Sequence, residues 1–338
     1  MRIQRCFARV FGVIAACLLL CASVLAQSGE TAARPPVKCH RSVSTPVKCL
    51  RPSSPAVECP GPNSTGLHCM TYGDGDPILA VHGLGASIYT WRKLVEPPYR
   101  FPGYKLIMVD LRGSGDSPKP RDKHYSILEQ ADLIYQFIQD QNLRNLTLMG
   151  HSYGGAVSLL VAIRLCKQDP GRLSKLILID SGGYNKLLAS HLKILRTPLI
   201  GWLGVHLLSP KAQAKKVLLA AYYDHCKISD EQICEYGRPI GLPGGRHALL
   251  QIAKQAIPKN IDEYTSQYSK ISVPTLILWG LDDKIVPLKI GKMLHEAIPR
   301  SRLEIINNCG HNPQEETPEE TICYISEFLG LPFRPCPK

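Results

Sequence analysis

The chain runs to 338 residues, with 40 Lys and Arg against 28 Asp and Glu for a formal charge of +12, and it carries 13 cysteines. The basic residues are spread rather than clustered, which argues against a nucleic-acid interface and leaves an anionic membrane or cell-wall surface open as a partner. No cysteines have the tight Cys-x-x-Cys or Cys/His spacing of a zinc site, so no metal is expected.

Residues 1–9 carry three arginines and no acid, residues 10–25 are almost wholly apolar, and Val24-Leu25-Ala26 places small residues before Gln27. This is the pattern of a secretory signal peptide over 1–26, and it predicts export to the periplasm, the cell surface or the medium. The apolar run is shorter than the roughly 20 residues of a membrane span, which makes an uncleaved anchor the lesser alternative. Loss of Cys6, Cys17 and Cys21 with the leader leaves an even ten cysteines, as expected of a disulfide-bonded protein. Cys226 with Cys234 and Cys323 with Cys336 are the locally reasonable pairs.

Residues 27–66 are rich in Pro, Ser and Thr and hold a decapeptide repeat: Pro36-Val37-Lys38-Cys39, Pro46-Val47-Lys48-Cys49, then Ala56-Val57-Glu58-Cys59, with Cys69 in phase. Such short, Pro-broken units lack the apolar content for a core, so an extended linker stapled by cystines is expected. From 67 onward apolar strands alternate with helices: strands at 67–72, 78–81, 106–110, 146–149, 176–180, 275–279 and 303–306, and helices at 126–141 and 318–329. This alternation predicts an α/β fold with a mostly parallel sheet covered on both faces. Residues 67–184 and 263–332 form its two parts, 185–262 an inserted helical cap, and 333–338 a tail.

The run Leu146-Thr-Leu-Met-Gly150-His-Ser152-Tyr-Gly154-Gly-Ala156 joins an apolar strand to an amphipathic helix through Gly-x-Ser-x-Gly. In that pattern the serine is held at a strained strand-to-helix bend, and small residues two positions away avoid collision with strand and helix. Ser152 is the candidate nucleophile.

Several motifs occur in order: His82-Gly83-Leu84-Gly85, Asp110 to Ser117, the Ser152 turn, Gly280-Leu-Asp-Asp283-Lys-Ile-Val-Pro287, and Gly310-His311. With them, residues 67–332 resemble an α/β-hydrolase of the epoxide-hydrolase, haloperoxidase and esterase branch. A serine hydroxyl needs a base, and the base needs an acid to orient it. The resemblance implies His311 as base and Asp283 as acid, with Asp282 and Asp180 as rivals for the acid. It also implies the backbone N–H groups of Leu84 and Tyr153 as oxyanion donors. Arg112 and Asp116 are expected to pair as scaffolding of the early Gly-rich loop.

The cap segment is unusually apolar, with Leu203 and Leu207 among the residues expected to contribute to an acyl pocket. The reading that results is an exported serine hydrolase cleaving small-molecule carboxylic esters through an acyl-enzyme, with no metal or organic cofactor. Relatives with dehalogenase or epoxide-hydrolase chemistry use an aspartate in the serine's place. Two alternatives stay open. One is a C–C bond hydrolase of the ring-cleavage type, whose relatives carry Gly-Pro-Gly where this chain reads Leu84-Gly85-Ala86-Ser87. The other is a non-catalytic binding protein on a hydrolase scaffold.

Overall fold

The computed structural model describes residues 57–59, 61, 63–96, 101–184 and 197–332. The leader, most of the expected linker, the first part of the expected cap and the tail lie outside the described residues. Eight strands form one sheet: β1 (Val57–Glu58), β2 (Cys69–Tyr72), β3 (Asp76–Val81), β4 (Tyr104–Val109), β5 (Leu146–His151), β6 (Leu173–Ile179), β7 (Thr275–Gly280) and β8 (Ser301–Ile306). Their order is β1-β2-β4-β3-β5-β6-β7-β8. β1 and β2 run antiparallel to their neighbours, and all other pairs are parallel.

The pleat sends alternate side chains to opposite faces. Leu79, Val81, Ile107, Val109 and Leu148 pack under α1 (Ile127–Asp140) and α2 (Tyr153–Gln168). Ile78, Ala80, Leu106, Met108 and Met149 face the other way, onto Trp91 and Leu94 and onto residues Ile322, Ile325 and Leu329 of the last helix. Helix α1 starts where its sequence says it should: the Ser126 hydroxyl accepts from the Glu129 N–H, and the Glu129 carboxylate accepts from the Ser126 N–H.

The sheet begins earlier than the composition suggests. Val57 and Glu58, inside the expected linker, pair with Thr71 and Met70, and a Cys59–Cys69 disulfide closes this edge. Pairing there satisfies backbone groups that β2 would otherwise present to solvent. Cys226, Cys234 and Cys323 are also disulfide-bonded, and Cys336 lies outside the described residues.

Between β6 and β7 the chain makes α3 (Pro198–Leu207), α4 (Pro210–Ala221), α5 (Asp230–Gly241), α6 (Gly245–Gln255) and α7 (Ile261–Thr265). The remaining helices are α8 (Leu288–Ala297), α9 (Pro313–Glu316) and α10 (Pro318–Leu329). Among the described residues no helix is long and apolar enough to cross a membrane.

The chain leaves β3 for β4 on one side and returns to β5 on the other. The loops after β3 and β5 therefore diverge and leave a crevice at the carboxyl ends of these two strands. Leu84 and Ser152 stand on its two sides.

Candidate active site

Ser152 caps α2 with φ 52° and ψ −119°, a left-handed conformation that a side chain adopts only under constraint. The constraint is steric. A Cβ on Gly150 would lie 2.5 Å from the Gly154 carbonyl oxygen, and one on Gly154 would lie 2.2 Å from that of Val81. The two glycines let helix and strands close on the turn, and the turn lifts the serine above the sheet.

The structure brings Ser152, His311 and Asp283 into one hydrogen-bonded chain. His311 Nε2 is 2.8 Å from Ser152 Oγ, and His311 Nδ1 is 2.7 Å from Asp283 Oδ2. Because an ionised carboxylate only accepts, Nδ1 carries the proton and Nε2 is left with its lone pair facing the serine. Asp283 Oδ1 accepts from the Ile285 and Val286 N–H groups at 2.7 and 2.9 Å, which fixes the acid turn. Burial pushes the Asp283 carboxyl up, but the charge and hydrogen bond of His311 outweigh it and hold the group below the ordinary carboxylate range.

Of the rivals, Asp282 is half-exposed, one residue away in the turn. Asp180 is fully buried at the end of β6, where its Oδ1 accepts from the Gly280 N–H at 3.1 Å. Ligand atoms of Asp180, Asp283 and His311 all lie within 4.8 Å of one another. Burial, then the neighbouring Asp283 charge, raises the Asp180 carboxyl well above its ordinary value, the opposite direction to Asp283.

Tyr153 is the first residue of α2, where a backbone N–H has no partner within the helix. Leu84 lines the same cavity as Ser152 and Tyr153. The loop bearing Leu84 is braced by His82, fully buried, which donates from Nδ1 to the Gly83 carbonyl and accepts at Nε2 from the Leu111 N–H. Asp110 anchors the facing loop by accepting from the Ile88 and Asp116 N–H groups. Gly115 is required there, since a Cβ would sit 2.0 Å from the Asp110 carboxyl. The expected Arg112–Asp116 pair is not formed. Arg112 reaches Asp122 at 2.6 Å, further along the same loop, and Asp116 reaches Arg238 of α5 at 2.7 Å, so Asp116 ties the loop outward.

Sequence reasoning missed a set of residues behind the base. Glu315, in α9, pairs with Arg92 and accepts from Thr90, Gln232 and Tyr236. Glu316 accepts from the Gly310 and Asp224 N–H groups at 2.8 and 2.6 Å. Together they clamp the His311 loop to the inserted helices. The Glu-Glu pair four and five residues after a histidine is the available signal, but in a sequence it reads as a solvated helix start.

The cavity at Ser152 measures about 130 Å³ and is walled by Leu84, Ala156, Leu160, Ile257, Ile261 and Val286, among others. Among the described residues no charged side chain lines it. Leu203 and Leu207 do not reach it. Leu207 is 72% exposed instead, because the acyl-sized space lies under the end of the insertion, at α7 and its flanks, rather than under α3.

A sequence model of the alpha/beta hydrolase fold matches residues 76–206 and 241–318. The chain belongs to the α/β-hydrolase family. It is 31% identical over 258 residues to the uncharacterized hydrolase YugF of Bacillus subtilis, across 75% of this chain and 89% of that protein. It is 26% identical to the 2-hydroxy-6-oxononadienedioate/2-hydroxy-6-oxononatrienedioate hydrolase of Cupriavidus pinatubonensis, across 78% and 90%. The crystal structure of a membrane phospholipase A superposes with a TM-score of 0.62 at 25% identity, across 81% of this chain and 85% of that one. As an α/β-hydrolase, the chain is a hydrolase of small molecules, and the proteins it resembles include both meta-cleavage product hydrolases and lipases.

Proposed function

We propose that this hydrolase is exported and cleaves carboxylic esters of apolar acids through an acyl-enzyme on Ser152. The observation that carries this reading is the Ser152–His311–Asp283 chain opening into an apolar cavity that no charged side chain lines among the described residues. Ser152 Oγ passes its proton to His311 Nε2 as it attacks the ester carbonyl. Asp283 holds the imidazolium that forms, and the Leu84 and Tyr153 N–H groups receive the oxyanion. His311 then protonates the departing alkoxide, and a water repeats the sequence to release the acid. Export is supported by the leader pattern at 1–26.

The Cupriavidus relative favours a second reading, C–C bond hydrolysis. A dienedioate substrate carries carboxylates, and burying them without a cationic partner is costly. Among the described residues the cavity wall holds no such partner, which weighs toward a neutral ester.

Nitrophenyl esters of increasing chain length test the choice. Each buried methylene contributes ~0.8 kcal/mol, so kcat/KM is expected to rise about fourfold per carbon until the cavity is full. A profile that falls from acetyl onward, with turnover of a 2-hydroxy-6-oxo-dienoate, would select the C–C reading.

A further inference from the structure

A second apolar cavity, of about 220 Å³, lies between α3, α4, α5 and α6. Its walls include Val205, Leu208, Ala214, Val217 and Leu249, and it shares Leu84 with the cavity at Ser152. Val217 is also 43% exposed, so this cavity opens where α3 and α4 meet solvent.

That face is unlike the rest of the surface. Four of the seven large apolar side chains exposed among the described residues lie on these two helices: Trp202 and Leu207 on α3, Val217 and Leu219 on either side of the buried stripe of α4, at 50, 72, 43 and 38%. Trp202 is held in place by stacking on His206 at 4.4 Å. The two helices are clipped together by Gln213, whose amide donates to the Val205 and Leu208 carbonyls at 3.0 Å each. A concentration of exposed apolar groups of this kind marks a surface that is covered in use.

Charge selects what covers it. Lys211, Lys215 and Lys216 of α4 are exposed, and no Asp or Glu occurs anywhere from 197 to 223. A second copy presenting the same face would set lysines against lysines. Apolar anchors flanked by cations, on two helices that carry no acid of their own, suit an anionic lipid surface, which takes the side chains into its interfacial region and pairs the lysines with headgroups.

We propose that the α3–α4 face docks on an anionic phospholipid surface, and that the cavity beneath it is the passage by which an acyl chain reaches Ser152 past Leu84. The docking surface stands on its own residues, whereas the passage rests on the ester-hydrolase reading.

Flotation of the purified protein with phosphatidylcholine vesicles, with and without phosphatidylglycerol, tests the surface. The expected result is binding that requires phosphatidylglycerol. It should weaken about tenfold or more in Trp202→Ser/Leu207→Ser and in Lys211→Gln/Lys215→Gln, with thermal midpoints unchanged. Equal binding to phosphatidylcholine alone, no binding, or binding untouched by both variants would overturn the proposal. So would a dimer that the same variants dissociate in the absence of vesicle binding, which would make the occupant a second copy. Vesicle binding without ester turnover would remove the function and leave the surface, and ester turnover without vesicle binding would do the reverse.

Discussion

The ring of His151 donates from Nε2 to the carbonyl oxygen of His311 at 2.7 Å, so the residue before the serine holds the backbone of the proposed base. The two rings lie 4.9 Å apart. Burial first, and then the His311 charge, lowers the His151 pKa from 6.5 to about 3. Between those values the unfolded chain binds a proton that the folded one does not. Stability is therefore lost as pH falls through 6.5 and stops falling, for this group, near 3. We expect a slope of ~1.4 kcal/mol per pH unit from this one histidine, read from urea midpoints. His151→Gln, which can still donate to the carbonyl, should flatten it by about one proton. An unchanged slope would show that His151 is not the group that titrates.

The acid turn makes a sharper prediction. Asp283→Asn removes the carboxylate that orients His311, and kcat/KM for a nitrophenyl ester should fall by on the order of a thousandfold, while Asp282→Asn stays near the parent. Asp180→Asn should cost no more than about tenfold. Its amide oxygen can keep the Gly280 N–H, so at most one hydrogen bond is at stake. A reversed order of Asp180 and Asp283 would exchange their roles.

Glu315 is buried with its partner Arg92 only 17% exposed. Glu315→Ala strands that guanidinium together with the donors of Thr90, Gln232 and Tyr236, and should cost roughly 3 kcal/mol or more of unfolding free energy. Arg92→Met/Glu315→Leu should recover part of the loss. A Glu315→Ala cost below about 1 kcal/mol would mean the network adds little to the anchoring of the His311 loop.

The fold was legible because its strands are short apolar runs bounded by turn residues. The strand at 146–149 and the helix at 318–329 were placed within two residues of where they stand. Ser152 is legible because the turn that holds it is written in adjacent residues, whereas His311 stands out only through the order of the motifs that carry the resemblance. What escaped depended on contacts far apart in sequence. The pairing of Val57 with Thr71 is invisible in a Pro-rich repeat. Arg112 and Asp116 stand close in the chain, but the structure gives Asp116 to Arg238, 122 residues on. Apolar content marks the segment of α3 without saying which side of it faces water, and Leu207, expected inward, is exposed.

The account turns on Ser152 becoming acylated, and acid-quenched mass spectrometry during turnover of a medium-chain nitrophenyl ester tests this most directly. The peptide bearing Ser152 should carry the acyl mass, the adduct should be absent in Ser152→Ala, and it should accumulate if His311→Ala slows deacylation more than acylation. Steady ester turnover with no adduct on Ser152, or with the acyl group on another residue, would contradict it.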